Sequence, residues 1–366
     1  MTIAAPAFPI RYRPDLEQPE PDEAEVTRHI IAQFDKIEGT VFKDSGHAER
    51  GVHAKPHGYL RVTFEVLDGL SPHLAQGLYA APATYDAILR FSTTPGDVLD
   101  DAVSTPRGVA LKVLDVPGAR LPGSEGDRTQ NYVFGNSPTF QVATAAKFLQ
   151  QLEPMAATTG RAEPLKHAIS VLSRNAEAAL EMVGGKSATL TTLAGQAPTE
   201  LLGDSFYSQA ALLHGDYYAK LAMSPVSPEL TALSRQKLDL SGHPDAIRDS
   251  VREYFRSLPG AWELRVQVGT DIDAMPIEDA KTEWPEDRSP YVAVARITAR
   301  PQDSWSDDLR DLVEEHLAFD PWIGLAAHRP LGSIMRARRP AYAAARHYRD
   351  ESNGAEIREP EGRPAA

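Results

Sequence analysis

Leu60, Val62, Phe64 and Val66 alternate with Arg61, Thr63 and Glu65, the period of a strand with one face buried. Trp262-Glu263-Leu264-Arg265-Val266-Gln267-Val268 alternates in the same way, and Ala87–Ser92, Gly108–Val113 and Tyr291–Ile297 are shorter strand candidates. Ahead of the first strand, Val26, Ile30, Phe34 and Ile37 recur at helical spacing, with Asp22 and Glu23 placed at the helix's positive end. The middle stretch, 141–225, reads as mostly helical, with segments at Ala145–Leu152, Leu165–Met182 and Phe206–Leu213. Strand groups lie on both sides of these helices without regular strand–helix alternation. This predicts an α+β fold with an antiparallel sheet or barrel rather than a doubly wound parallel one. The Pro-rich, acidic residues 1–23 read as an extended arm, 24–353 as one domain, and 354–366 as a loose tail.

Composition narrows the function classes. The 366 residues carry 38 Lys+Arg against 51 Asp+Glu, a formal charge of −13. That balance argues against a nucleic-acid partner, which needs clustered cations for phosphate. The 42 % hydrophobic content is that of a folded chain large enough to bury a cofactor. With no cysteine, disulfides, thiolate metal sites and cysteine nucleophiles are excluded. No Gly-x-Gly-x-x-Gly or phosphate-loop motif supports nucleotide binding. No run approaches the ~20 apolar residues of a membrane span. Met1-Thr2-Ile3-Ala4-Ala5-Pro6 lacks a basic region followed by an apolar stretch, so a soluble, cytoplasmic protein is expected.

Three local patterns carry candidate chemistry. His53, in Glu49-Arg50-Gly51-Val52-His53-Ala54-Lys55, suits a general base, a metal ligand or a structural hydrogen-bonder. Arg90, in Arg90-Phe91-Ser92-Thr93, sits inside an apolar strand, where its charge needs an anion, either a neighbouring carboxylate or a ligand's. Arg338 and Tyr342 are four apart, so on a helix they share a face. A cation beside a phenol favours its ionised form, so the Tyr342 pKa is expected to fall, and a phenolate is a hard oxygen donor suited to ferric iron. Read generically, such an Arg–Tyr pair is surface packing.

Taken together, these segments resemble the haem catalase superfamily. Arg50-Gly51-Val52-His53-Ala54-Lys55 resembles its distal-histidine segment. Arg90-Phe91-Ser92-Thr93 and Pro106-Arg107-Gly108-Val109-Ala110-Leu111-Lys112 resemble the two that follow, and Gly135-Asn136-Ser137-Pro138 the distal-asparagine segment. Ala280-Lys281-Thr282-Glu283-Trp284-Pro285, Ala318-Phe319-Asp320-Pro321-Trp322 and Arg338-x-x-x-Tyr342 complete an ordered series running from about residue 40 to 350. Gly-Asn-Ser-Pro is one residue shorter than the family's Gly-Asn-Asn-Thr-Pro. Arg329-Pro330-Leu331-Gly332-Ser333-Ile334-Met335-Arg336 is more like the short catalase-related branch, which includes organic-hydroperoxide peroxidases and allene oxide synthases.

The resemblance implies a catalase-type antiparallel β-barrel with surrounding helices and a buried haem b. Tyr342 would be the axial ligand, with Arg338 holding it as phenolate. His53 would move a proton between peroxide oxygens, Ser92 would orient its ring, and Asn136 would hydrogen-bond the peroxide. Arg50, Arg90 and Arg349 would pair with the haem propionates, Phe148 would pack on the porphyrin, and Val52 would keep the distal wall dry. The expected activity is decomposition or reduction of hydrogen peroxide or small organic hydroperoxides. The alternatives are a fatty-acid hydroperoxide isomerase resembling allene oxide synthase, against which Val52 speaks, and a non-catalytic haem binder. A homodimer is the expected assembly.

Overall fold

A computed structural model describes residues 8–158 and 197–360. The alternating stretch beginning near Leu60 forms β1 (Pro56–Val66), which pairs on one side with β2 (Thr84–Thr93) and on the other with β9 (Val292–Ala299). From β2 the antiparallel order runs through β3 (Arg107–Val113), β4 (Gln130–Gly135) and the two-residue β5 (Phe206–Tyr207). β5 also pairs with β7 (Tyr217–Pro225), which continues through β8 (Gly260–Val268) to β9, so eight strands close into a barrel. The short β6 (Leu212–His214) folds back on β7 as a hairpin. The expected α+β class with a catalase-type barrel and surrounding helices is what is found.

Inward-facing side chains fill the barrel as one core. Leu60, Phe64, Leu89, Phe91, Leu111, Phe206, Trp262, Leu264 and Ile297 all lie within it, none more than 1 % exposed. The other face of β1 and β2 is also covered. Tyr59 and Ile88 pack outward against Leu309, Val313, Leu317 and Phe319. This explains why β2 is buried at every position from Ala87 to Thr93, where a strand open on one side would alternate. The covering segment is a short helix (Asp307–Asp311) running into a wide π-type turn (Leu312–His316).

Helices form a second layer. α1 (Glu23–Ser45) buries Val26, Ile30, Ile37 and Val41 against Ala145 and Leu152 of α2 (Ala145–Thr158) and Ala337 of the long C-terminal helix Ser333–Asn353, here αC. The start of αC is tied down electrostatically. Arg336 meets Glu17, Glu23 and Glu278 at 2.7–2.9 Å, which raises its pKa further above the ordinary arginine value. Among the described residues no helix is long and apolar enough to cross a membrane.

Phe206–Leu213 departs from expectation: it is strand and connection, not helix. Phe206 and Tyr207 pair with Met223 and Ala222 and complete the barrel, and Gln209 takes φ +62°, which ends regular structure. The closing of the sheet outweighs a short apolar spacing that fits either period. Tyr217–Pro225 is likewise strand rather than part of a helical middle section. Leu165–Met182 lies outside the described residues. Of the tail expected to be loose from Gly354, Glu359 is held firmly: it meets Lys112 Nζ at 2.5 and 2.7 Å and accepts from Thr129 Oγ1.

Lys112 is fully buried, so removing its carboxylate leaves a cation without compensation. Glu359→Gln is expected to cost about 3 kcal/mol of stability, whereas Lys112→Met, which removes the charge itself, costs less. Thermal melts of the two variants check the order; equal losses count against a buried ion pair at this place.

Candidate functional site

The site is built on the outer face of β1–β4. Side chains alternate along a strand, so Leu89 and Phe91 enter the core while Ile88, Arg90 and Ser92 face the helical layer. Across the ladder Arg90 lies opposite Tyr59 and Ala110, Ser92 opposite Gly108, and Gly108 opposite Gly135. The result is a shelf of small residues bounded by one arginine and one serine.

His53 stands over this shelf. Its Nδ1 is 3.0 Å from Ser92 Oγ, the pairing expected of a base held in one orientation. A Cβ on Gly108 would fall 2.5 Å from His53 Cε1, so glycine there is what admits the imidazole. His53 itself adopts φ +57°, an uncommon conformation for a non-glycine residue. It is held by its N–H donating to Thr94 O at 2.8 Å and its carbonyl accepting from Arg90 Nη2 at 2.9 Å. Burial first, then the charges of Arg90, Arg338 and Arg50, push its pKa down to about 3. The imidazole is therefore neutral at physiological pH.

Arg90 is 3 % exposed, and its anion is a neighbouring carboxylate. Glu314, on the wide turn, takes a two-pronged bond from Arg90 Nε at 2.6 Å and Nη2 at 3.1 Å, and a third from Arg50 Nε at 3.2 Å. Arg349 Nη2 donates to the Glu314 carbonyl. Burial alone would raise the Glu314 carboxyl; Arg90 and Arg50 hold it down at about 2. Burial and the repulsion of Arg50 and Arg90, only partly offset by Glu314, bring Arg349 down to about 9. Arg50, Arg90 and Arg349 thus converge on Glu314. Glu314, the carboxylate that joins them, was not singled out from the sequence; its one signal there is the acidic pair Glu314-Glu315 just before the apolar Leu317-Ala318-Phe319.

αC supplies the opposite side. Arg338, Tyr342 and Arg349 are spaced four and seven apart and share one face. The Arg338 guanidinium carbon lies 5.4 Å from the Phe140 ring centroid, and that ring lies 5.5 Å from Phe148. The Tyr342 pKa moves up, not down as the spacing alone suggested. Burial is the larger effect, Asp320 adds to it, and Arg338 and Arg50 only partly oppose them. Arg50 and Arg338 act electrostatically on both His53 and Tyr342. Tyr342 offers a hard oxygen donor, and the arginines offer charge to an anionic ligand.

The Asn136 Oδ1 accepts from Arg107 N at 3.0 Å, and its Nδ2 donates to Asp204 at 3.3 Å. Arg107 lies at the start of β3, one ladder position from the Ser92–Gly108 pair, and Asp204 lies ahead of β5. Val52 is half-buried next to His53 and makes no polar contribution.

The fold resembles that of solved catalases. Catalase A from Saccharomyces cerevisiae superposes with TM-score 0.57 at 20 % identity, over 84 % of this chain and 62 % of that one. A fungal catalase gives 0.57 at 16 % identity, over 86 % and 61 %. A bacterial catalase gives 0.55 at 16 %, over 84 % and 59 %. The chain therefore spans about three fifths of each of these proteins. No family model matches the sequence, and no curated protein matches it.

Behind the His53 segment, Glu38 of α1 is 2 % exposed and presses on Gly51, where a Cβ would fall 2.5 Å from Oε1. Burial, with Asp35 adding and Arg349 opposing, raises its carboxyl to about 7. A folded-state pKa raised above the ordinary 4.5 makes a stability contribution that is complete below 4.5 and is lost as pH rises through 7. Glu38→Gln is thus expected to stabilise the chain at pH 8 by up to about 3 kcal/mol and to have no effect at pH 4. Urea midpoints at the two pH values test this; a pH-independent difference counts against it.

Proposed function

We propose that the chain is a haem-dependent oxidoreductase that decomposes or reduces peroxide, of the catalase-related kind. The observation that carries this reading is an imidazole held by Ser92 at 3.0 Å on a barrel of catalase type, with Arg338 and Tyr342 on one face of αC.

The residues present fit haem b. The donor set has an oxygen ligand in Tyr342 and a proton acceptor in His53. Gly108, opposite Ser92 in the ladder, admits the imidazole to the strand face. Arg50, Arg90 and Arg349 match a group that carries carboxylates. Ferric haem would supply the site for two-electron cleavage of the O–O bond; the remaining work belongs to the chain. Tyr342 would hold the iron from αC, and the positive charge of Arg338 and Arg50 would offset part of the cost of ionising the phenol. Neutral His53 takes a proton from one peroxide oxygen at Nε2 and returns it to the other. Ser92 fixes the ring through Nδ1, and the bond from Arg90 to the His53 carbonyl fixes the backbone beneath it. Phe148 and Phe140 make the aromatic wall on the helical side, and Val52 the apolar one next to His53.

A haem binder without turnover is the second reading. It is favoured by the engagement of the Asn136 amide with Arg107 and Asp204, which leaves the peroxide-holding role to other groups.

Tyr342→Phe is expected to lose haem or to shift its visible spectrum, with peroxide turnover falling at least ~100-fold. His53→Gln should retain haem and lose turnover to a similar degree. Oxygen evolution and visible spectra of the purified haem-loaded proteins decide. Unchanged turnover in Tyr342→Phe defeats the axial assignment, and haem binding without turnover in the unmodified chain selects the second reading.

A further inference from the structure

The arginine cradle contains two kinds of hydrogen bond. One kind goes to backbone carbonyls, which cannot leave. Arg50 Nη2 donates to Val313 O at 2.7 Å and Leu317 O at 3.3 Å, Arg349 Nη2 to Glu314 O, and Arg90 Nη2 to His53 O. These bonds fix where each guanidinium sits. The other kind goes to the Glu314 carboxylate, through Arg50 Nε and one edge of Arg90. A side chain can rotate away without disturbing the carbonyl set, leaving the freed donors in place. Glu314 is carried by a wide five-residue turn rather than a regular helix, and both its side chain and that of Arg50 keep 14 % exposure, against 3 % for Arg90. Glu49 lies near enough to be pushed up by Glu314, but among the described residues Glu314 is the carboxylate hydrogen-bonded to these guanidiniums.

We propose that Glu314 is an internal counter-anion that keeps the Arg50–Arg90 donors paired in the cofactor-free chain, and that a carboxylate of an incoming porphyrin must displace it. Glu314 then sets how tightly the chain holds its cofactor. The inference rests on the haem reading above but concerns the carboxylate edge of the ligand, independently of its iron.

The test uses the full-length cofactor-free chain and two metal-free probes, protoporphyrin IX and its dimethyl ester, followed by porphyrin fluorescence. Because an internal competitor lowers apparent affinity by the fraction of chains it blocks, Glu314→Gln is expected to bind the diacid about tenfold more tightly. The diester, which has no carboxylate to compete, should be unaffected. Haem transfer from Glu314→Gln to apomyoglobin should slow by a similar factor. Weaker diacid binding in Glu314→Gln, or an equal change for diacid and diester, overturns the proposal. If Glu314→Gln fails to fold, Glu314→Asp, whose shorter arm weakens the pairing but keeps the charge, should move diacid binding in the same direction by a smaller factor; no change there overturns it. Failure of the unmodified chain to take up haem overturns the proposed function, whereas normal haem uptake with no effect of Glu314 overturns this inference alone.

Discussion

A guanidinium on a strand buried on both faces is the constraint around which the site is arranged. Arg90 cannot reach water, so its charge and its donors must be met locally. The solution draws in two other parts of the chain. The wide turn brings Glu314, the loop before β1 offers the His53 carbonyl, and Arg50 shares the same carboxylate. One consequence is conformational: the bond to the His53 carbonyl helps hold that residue at positive φ, which turns its ring over Gly108 and toward Ser92. An interaction that compensates a charge therefore also sets the direction of the imidazole. Removing the arginine would release the carbonyl as well as the carboxylate.

The same cations act oppositely on the two groups they face. Around His53 they add to burial and keep the ring neutral. Around Tyr342 they oppose burial and lose to it. The chain alone thus keeps the imidazole neutral, while disfavouring its protonated form, whereas ionisation of the phenol is favoured only in part. In the proposed enzyme the remainder falls to the metal, whose charge stabilises the phenolate directly. The upward shift of Tyr342 is therefore compatible with a ligand role even though simple pairing with Arg338 pointed the other way.

Much of the barrel was legible because period-two alternation survives wherever one strand face meets the core. β3 and β8 were read nearly to their ends, β1 from Leu60 onward, and β2 and β9 as pieces that overlap them. The closing strand β5 was misread, since two residues carry no periodicity and only their partners on β4 and β7 define them. Within the site, His53, Ser92 and the three arginines were found through motif order, and the structure brings them together. Glu314 was hidden because an acidic residue before an apolar run looks like a solvated face. Its meaning comes from a contact with Arg90, 224 positions away in the chain. Gly108 was quoted only as part of a motif; what it does depends on the ring above it.

The knot at Arg336 bears on how the molecule is assembled. Glu17 and Arg336 are 319 residues apart, and Glu23 and Arg336 are 313 apart, yet both pairs fasten the first turns of αC. During synthesis the acidic arm emerges early and must wait for almost all of the barrel before its partner leaves the ribosome. The contacts that fasten the helix bearing Tyr342 can therefore form only once every strand of the barrel has been made, and among the described ion pairs they close the longest loop.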